Sequence, residues 1–185
     1  GDSNVAIGTN AMTALTEGTE SVAVGALSLA TVTTDNFNTG VGYATLNANT
    51  TGTSGTAIGR KALTANTTGD ENTAVGSSAL LANTTGAYNT AVGGQGVLDA
   101  NTTGSQNTAI GGGALSANTT ASDNTAVGHA SLIRNTTGTN NTGLGVDTLN
   151  FNTTASNNTA VGRSALSANT TGADNVAVGK DSMLS

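Results

Sequence analysis

One pentapeptide of the type Asn-Thr-Ala-Val-Gly recurs eleven times along the chain. Successive copies are equally spaced, except that the interval between Gly93 and Gly111 is longer because of an insertion around residues 94–96. A short, fixed period predicts a solenoid, in which each repeat buries its apolar side against the repeats above and below it. We expect residues 1–185 to form one repetitive β-solenoid of eleven coils, either a segment of a longer fibre or a unit that stacks head to tail. The glycines that end the copies are Gly8, Gly25, Gly42, Gly59, Gly76, Gly93, Gly111, Gly128, Gly145, Gly162 and Gly179.

Two aliphatic columns run through the repeats. In the first column an aliphatic residue such as Val92 immediately precedes the glycine of the pentapeptide. In the second column a Leu or Met such as Leu115 follows that glycine a few residues later. Two apolar positions per repeat are too few for amphipathic helices, which need three or four in two turns. The β-branched pair at the second and fourth positions of the pentapeptide is typical of a short strand. The pattern predicts an all-β parallel solenoid whose interior consists of both aliphatic columns.

The residue between the β-branched pair is Ala or Gly in every copy, and it would point to the other side of the strand. A solvent-exposed position should vary more than this. We therefore expect another chain to cover this side at close range, which predicts an oligomer packed around these sides of the strands. The proposed interface residues are Ala6, Ala23, Gly40, Ala57, Ala74, Ala91, Ala109, Ala126, Gly143, Ala160 and Ala177.

The second turn of most repeats reads Asn-Thr-Thr-Gly, a sequence suited to tight corners because Asn and Gly tolerate left-handed backbone. Stacked Asn side chains can pair amide to amide along the solenoid, and stacked strand Thr hydroxyls can do the same. The Asn-Thr-Thr segments, with Asn140-Asn-Thr and Asn157-Asn-Thr, are also N-glycosylation sequons. We interpret most of these Asn and Thr residues as structural. An ice-binding face is disfavoured, because the strand Thr would share the buried face.

The composition argues against a catalytic, metal-binding or nucleic-acid-binding site. The chain has no Cys, which excludes thiolate metal sites, and its only histidine, His129, occupies a variable position that we expect to be solvated. Five basic residues in a chain of net charge −6 are too few and too scattered for nucleic acid. We expect no enzyme activity, no cofactor and no metal site, and no apolar run is long enough to insert into a membrane. We assign no calcium-binding role to the acidic residues Asp35, Asp70, Asp123 and Asp174.

The copies Asn-Val-Ala-Ile-Gly at 4–8, Ser-Val-Ala-Val-Gly at 21–25 and Asn-Val-Ala-Val-Gly at 175–179 resemble the head repeats of YadA-like trimeric autotransporter adhesins. The Asn-Thr-Ala-Val-Gly copies are similar to repeats in phage tail fibres. The resemblance covers essentially the whole chain, although the family period is usually shorter than the one found here. It implies a left-handed parallel β-roll with three chains packed side by side.

Repeat and resemblance together predict a structural or adhesive fibre segment at a cell surface, extracellular, or on a virion. The expected partners are copies of the chain itself, as a homotrimer or a head-to-tail filament, and a host surface or matrix ligand. The alternatives are a phage tail-fibre shaft, a self-assembling extracellular filament and, less favoured, an ice-binding solenoid.

Overall fold

The computed structural model describes residues 3–34 and 36–184 and contains eleven short strands, one from every repeat. They form one parallel sheet in which each strand pairs with the next along the chain. The all-β parallel solenoid predicted from the repeat is confirmed. The strands are β1 Val5–Ile7, β2 Val22–Val24, β3 Thr39–Val41, β4 Thr56–Ile58, β5 Thr73–Val75, β6 Thr90–Val92, β7 Thr108–Ile110, β8 Thr125–Val127, β9 Thr142–Leu144, β10 Thr159–Val161 and β11 Val176–Val178.

Equivalent positions of neighbouring repeats lie side by side throughout the sheet. Thr56 pairs with Thr73, and the register does not slip across the longer interval, where Thr90 pairs with Thr108. The extra residue is accommodated in a turn at 94–96, where Gly94 and Gln95 are exposed. The insertion therefore changes one corner of one coil and leaves the stacking of equivalent residues intact.

The glycine that ends each pentapeptide is required by close backbone approach between coils. Gly59 has φ +123, a conformation that L side chains rarely adopt. A Cβ built on Gly59 would lie 2.6 Å from the carbonyl oxygen of Gly76 in the next coil, where no rotamer change could relieve the clash. Similar geometry recurs along the chain, which explains why this position never varies.

The leucine column forms the centre of the interior, as predicted. The eight leucines from Leu29 to Leu149 in this column are at most 1% exposed. Each has a left-handed backbone; Leu63, for example, has φ +51. That conformation strains a bulky residue by about 1–3 kcal/mol. Burying a leucine side chain yields about 1.5–3 kcal/mol, so burial offsets the strain of the corner that turns it inward.

The other interior column is the Ala/Gly column, and the aliphatic column before each glycine faces outward. Ala57 is fully buried while Ile58 is 41% exposed. The prediction that both aliphatic columns are buried is therefore wrong for the one that contains Val92, which is only partly buried. The interior beside the strand is narrow, so it accepts a methyl group and excludes a branched side chain.

The two glycines in the Ala/Gly column show how narrow that space is. Opposite Gly40, the hydroxyls of Ser28 and Thr45 lie 2.8 Å apart, and a Cβ on Gly40 would be 2.5 and 2.8 Å from them. The same arrangement recurs at Gly143, opposite the hydroxyls of Ser131 and Thr148. At both positions two hydroxyl-bearing side chains face the strand residue, and that residue is Gly, as expected of columns in direct contact within one chain.

Candidate functional site

The proposed trimer interface lies inside the chain, so that prediction is wrong. A side chain buried by its own coil cannot contact a second chain. Within the interface set only Ala6, in β1, is exposed. The constancy of the Ala/Gly column, which predicts a second chain, follows instead from the narrow interior of the coil itself. The buried members are Ala23, Gly40, Ala57, Ala74, Ala91, Ala109, Ala126, Gly143, Ala160 and Ala177.

The outward side chains of the sheet form an uncharged surface, which we call the strand face: the first and third residues of β1 to β11. Every residue on it is Thr, Val, Ile or Leu. Several of the aliphatic members are well exposed, among them Ile110 at 39% and Leu144 at 38%. A continuous apolar stripe along one side of a chain is typical of an interaction surface.

The strand threonines, one in each strand from β3 to β10, lie on this face and are half-buried. Within the described residues their hydroxyls have no hydrogen-bond partner, so the predicted Thr-to-Thr bonding along this column is wrong. The stated reason for disfavouring an ice-binding face, that these Thr share the buried face, is wrong as well. The strand face offers both methyl groups and free hydroxyls at regular spacing.

The Asn of each Asn-Thr-Thr segment belongs to one hydrogen-bonded column, the first asparagine ladder, as predicted; the column is buried from Asn49 to Asn152. Asn118 donates from Nδ2 to Asn101 Oδ1 at 2.9 Å and to the carbonyl oxygen of Ala121 at 3.0 Å. Asn135 donates in turn to Asn118 Oδ1 at 3.2 Å. Each side-chain amide thus bonds to a carbonyl oxygen three residues further on, within its own corner, and to the equivalent amide of the neighbouring coil. The ladder consists of Asn49, Asn66, Asn83, Asn101, Asn118, Asn135, Asn152 and Asn169.

A second asparagine ladder, which the sequence analysis missed, is formed by the Asn that opens the pentapeptide. Asn72 Oδ1 accepts both the backbone N–H of Asn89 at 3.0 Å and its Nδ2 at 3.1 Å. Asn72 and Asn83 both donate to the carbonyl oxygen of Gly86, which joins the two ladders. The sequence does contain a signal for this ladder, because the first position of the pentapeptide is Asn in most copies. The ladder consists of Asn72, Asn89, Asn107, Asn124, Asn141, Asn158 and Asn175.

The first Thr of each Asn-Thr-Thr segment also has a structural role. The carbonyl oxygen of Thr67 accepts the N–H groups of Thr50 and Thr51, at 2.9 and 3.3 Å. It also accepts the Thr50 hydroxyl at 3.0 Å. The Asn-Thr-Thr segment is therefore a unit that bonds one coil to the next through backbone and side-chain groups together.

The titratable residues that the structure describes do not assemble a site. His129 is exposed, and Asp70 accepts hydrogen bonds from the N–H and hydroxyl of Thr53, at 2.8 and 3.0 Å. Over residues 3–34 and 36–184 no three His, Asp or Glu residues lie close enough to hold a metal ion. Asp35 lies outside the described residues. The one ion pair of this region joins Lys180 and adjacent Asp181 at 3.5 Å, on the surface.

In the same ranges of the chain, no helix is long and apolar enough to cross a membrane. Comparison with known proteins gave no significant match to any family model, curated protein or solved structure. The functional interpretation therefore depends on the geometry described above, and above all on the strand face.

Proposed function

We propose that this chain is a structural and adhesive segment of an extracellular fibre, a rod that holds a binding surface away from a cell or virion. The observation that carries the proposal is the strand face, a continuous uncharged stripe on an otherwise self-contained solenoid. Eleven coils at about 4.8 Å each make a rod about 50 Å long. The role is mechanical, and it requires neither a reaction nor a cofactor.

The strand face is suited to packing against copies of the same chain. Its exposed Ile and Leu side chains would leave water on association, at about 25 cal/mol per Å² of apolar surface. It contains no charged residue, so no ion has to be desolvated. We propose a homotrimer of left-handed solenoids, with the three strand faces turned toward a shared axis. The strand Thr hydroxyls would then bond to equivalent hydroxyls of neighbouring copies.

The ladders give the rod the stiffness that this role needs. Each coil is tied to the next by backbone bonds through the sheet, and most coils also by the asparagine ladders and the Thr corner. Buried, fully bonded polar networks resist local opening. An adhesin-like fibre that contacts a host surface or matrix ligand, a phage tail-fibre shaft and a self-assembling filament all use such a rod.

The oligomeric state tests the proposal. Static light scattering of the wild-type chain should give three times the chain mass of 17.8 kDa. Ile110→Lys introduces a charge into the strand face and should give a folded monomer. His129→Lys, at an exposed position outside that face, is the matched control and should remain trimeric. A monomeric wild-type protein would refute the trimer, and endless filaments in negative stain would favour the self-assembling alternative.

Ice binding is the second candidate, favoured by one observation: the strand Thr hydroxyls point outward without partners in the described part of the chain. Together with the neighbouring methyl groups they form a regular array fixed by the sheet register. An ice-binding chain would leave this face open to water. Thermal hysteresis in a monomeric protein, abolished by Ile110→Lys, would support this function, whereas a trimer without hysteresis supports the fibre.

A further inference from the structure

The structure divides the ten Asn-x-Thr sequons of the chain into two classes. Eight belong to the first asparagine ladder, whose members Asn49 to Asn152 are at most 1% exposed. In Asn118, for example, both Nδ2 hydrogens are used, one toward Asn101 and one toward Ala121. A sugar on that nitrogen would displace one of these hydrogens and would have to occupy the packed interior. The seven buried members from Asn49 to Asn152 are therefore closed to N-glycosylation in the folded chain. Asn169, at the end of the ladder, is partly buried and uses its Nδ2 toward Asn152 Oδ1 at 3.1 Å and the carbonyl oxygen of Gly172 at 2.9 Å.

Asn140 and Asn157 are placed differently. Both lie at the exposed corner that precedes a strand, with left-handed φ of +56 and +62. Asn140 Nδ2 donates to Thr139 Oγ1 at 3.2 Å, and Asn157 Nδ2 donates to Asp174 Oδ1 at 3.0 Å. Both bonds are solvent-exposed, so water can replace them at little cost.

The same corner tolerates large outward substituents in other coils. Phe37 and Tyr88 occupy the equivalent position and are 55% and 56% exposed. The third residue of each open sequon, Thr142 or Thr159, opens a strand and belongs to the strand face, with a hydroxyl that has no partner in the described residues. Acceptor amide and sequon hydroxyl are thus accessible together, while the strand face is still uncovered.

We propose that Asn140 and Asn157 are acceptor sites for N-linked glycans, and that the folded chain carries such glycans at these two sites. The inference rests on the extracellular placement proposed above. The donor is a lipid-linked saccharide pyrophosphate. The bond from sugar C1 to the pyrophosphate oxygen breaks, and a bond from Nδ2 to C1 forms. The amide loses one proton, and the lipid pyrophosphate leaves. Transfer precedes trimer assembly, which would cover the sequon hydroxyls.

Secretion of the full chain from eukaryotic cells tests the proposal by intact mass and glycopeptide mapping. The expected result is one or two glycans per chain on Asn140 and Asn157, and complete loss of glycan in the Asn140→Gln, Asn157→Gln double variant. Thr142→Val with Thr159→Val is the matched control that destroys both sequons and keeps both Asn. The same column holds Val22, so the fold accepts that change. The corresponding Thr→Ser changes should keep the glycans.

Two results would overturn the proposal: a folded, secreted chain with glycan at neither site, or glycan on one of the buried ladder residues Asn49 to Asn152 in a chain that keeps its fold. If secretion fails, the purified folded chain is treated with an oligosaccharyltransferase and a lipid-linked donor, with the same two readings. Light scattering of the same samples reports assembly separately. A glycosylated monomer would contradict the trimer alone, and an unmodified trimer would contradict the glycan sites alone.

Discussion

Replacing Asn118 with Ala probes the first asparagine ladder at its centre. The Asn118 side chain donates to Asn101 Oδ1 and to the carbonyl oxygen of Ala121, and it accepts from Asn135 Nδ2. The Ala121 oxygen keeps its second donor, Asn107 Nδ2, at 2.9 Å. The Asn101 oxygen and one Asn135 hydrogen lose their partners in the packed interior.

Each of these buried groups costs about 1–3 kcal/mol when it is left unpaired. The two together predict a loss of about 2–6 kcal/mol in the free energy of unfolding, and the cavity left by the amide adds to it. The assay is guanidinium denaturation followed by far-UV circular dichroism. Because a solenoid is stabilised coil by coil, amide hydrogen exchange over 101–135 should show the loss locally as well.

Asn150→Ala is the matched control. Asn150 is half-buried and makes one side-chain bond, to Asp147 Oδ1 at 3.2 Å, and another coil already holds Ala30 at this position. Its expected cost is below about 1 kcal/mol. Equal destabilisation by the two variants would refute the reasoning, because it would mean that the buried ladder contributes no more than one half-buried side-chain bond.

Substitutions elsewhere test the packing of the interior, the strand face and the absence of a metal requirement. Gly143→Ala should destabilise the chain, because its Cβ would lie 2.5 Å from the Ser131 hydroxyl, and adding Ser131→Ala and Thr148→Ala should restore most of the loss in thermal melts. Leu115→Asp should unfold the central coils, since it buries a carboxylate without a partner, whereas Val92→Asp should leave a folded monomer by circular dichroism and light scattering. Exhaustive chelation should leave the melting temperature unchanged, and a large drop that calcium reverses would reveal a metal dependence.

The sequence was sufficient to predict the solenoid, the strand in each repeat, the leucine interior and the first asparagine ladder. All four follow from the fixed period and from residue types with a clear structural preference: β-branched residues for strands, Leu for the interior, and Asn and Gly for tight corners. Once the period is known, a Leu at the same position of most repeats predicts a buried column, and an Asn at most corners predicts stacked amides.

The sequence was not sufficient to decide which side of the strand faces inward. The alternation of side chains along a strand predicts that Ala57 and Ile58 point to opposite sides of the sheet. It does not predict which of the two sides is the interior of the coil. The room inside the coil is set by the left-handed leucine corners and by the residues opposite the strand, such as Ser28 and Thr45 against Gly40. Those contacts join a strand to the corner of its own coil and to the corner of the coil before it. They depend on turn geometry, which the repeat pattern does not encode.

Thiol labelling tests the strand face most directly, because the chain has no Cys of its own. Thr108→Cys, Ala109→Cys and Ile110→Cys place one thiol at each successive position of β7, and labelling is followed by mass under reducing conditions. We predict that the thiols at 108 and 110 react quickly in dilute monomer and become protected in the trimer, while the thiol at 109 remains unreactive throughout. Faster labelling at 109 than at 108 and 110 in the folded chain would contradict the account.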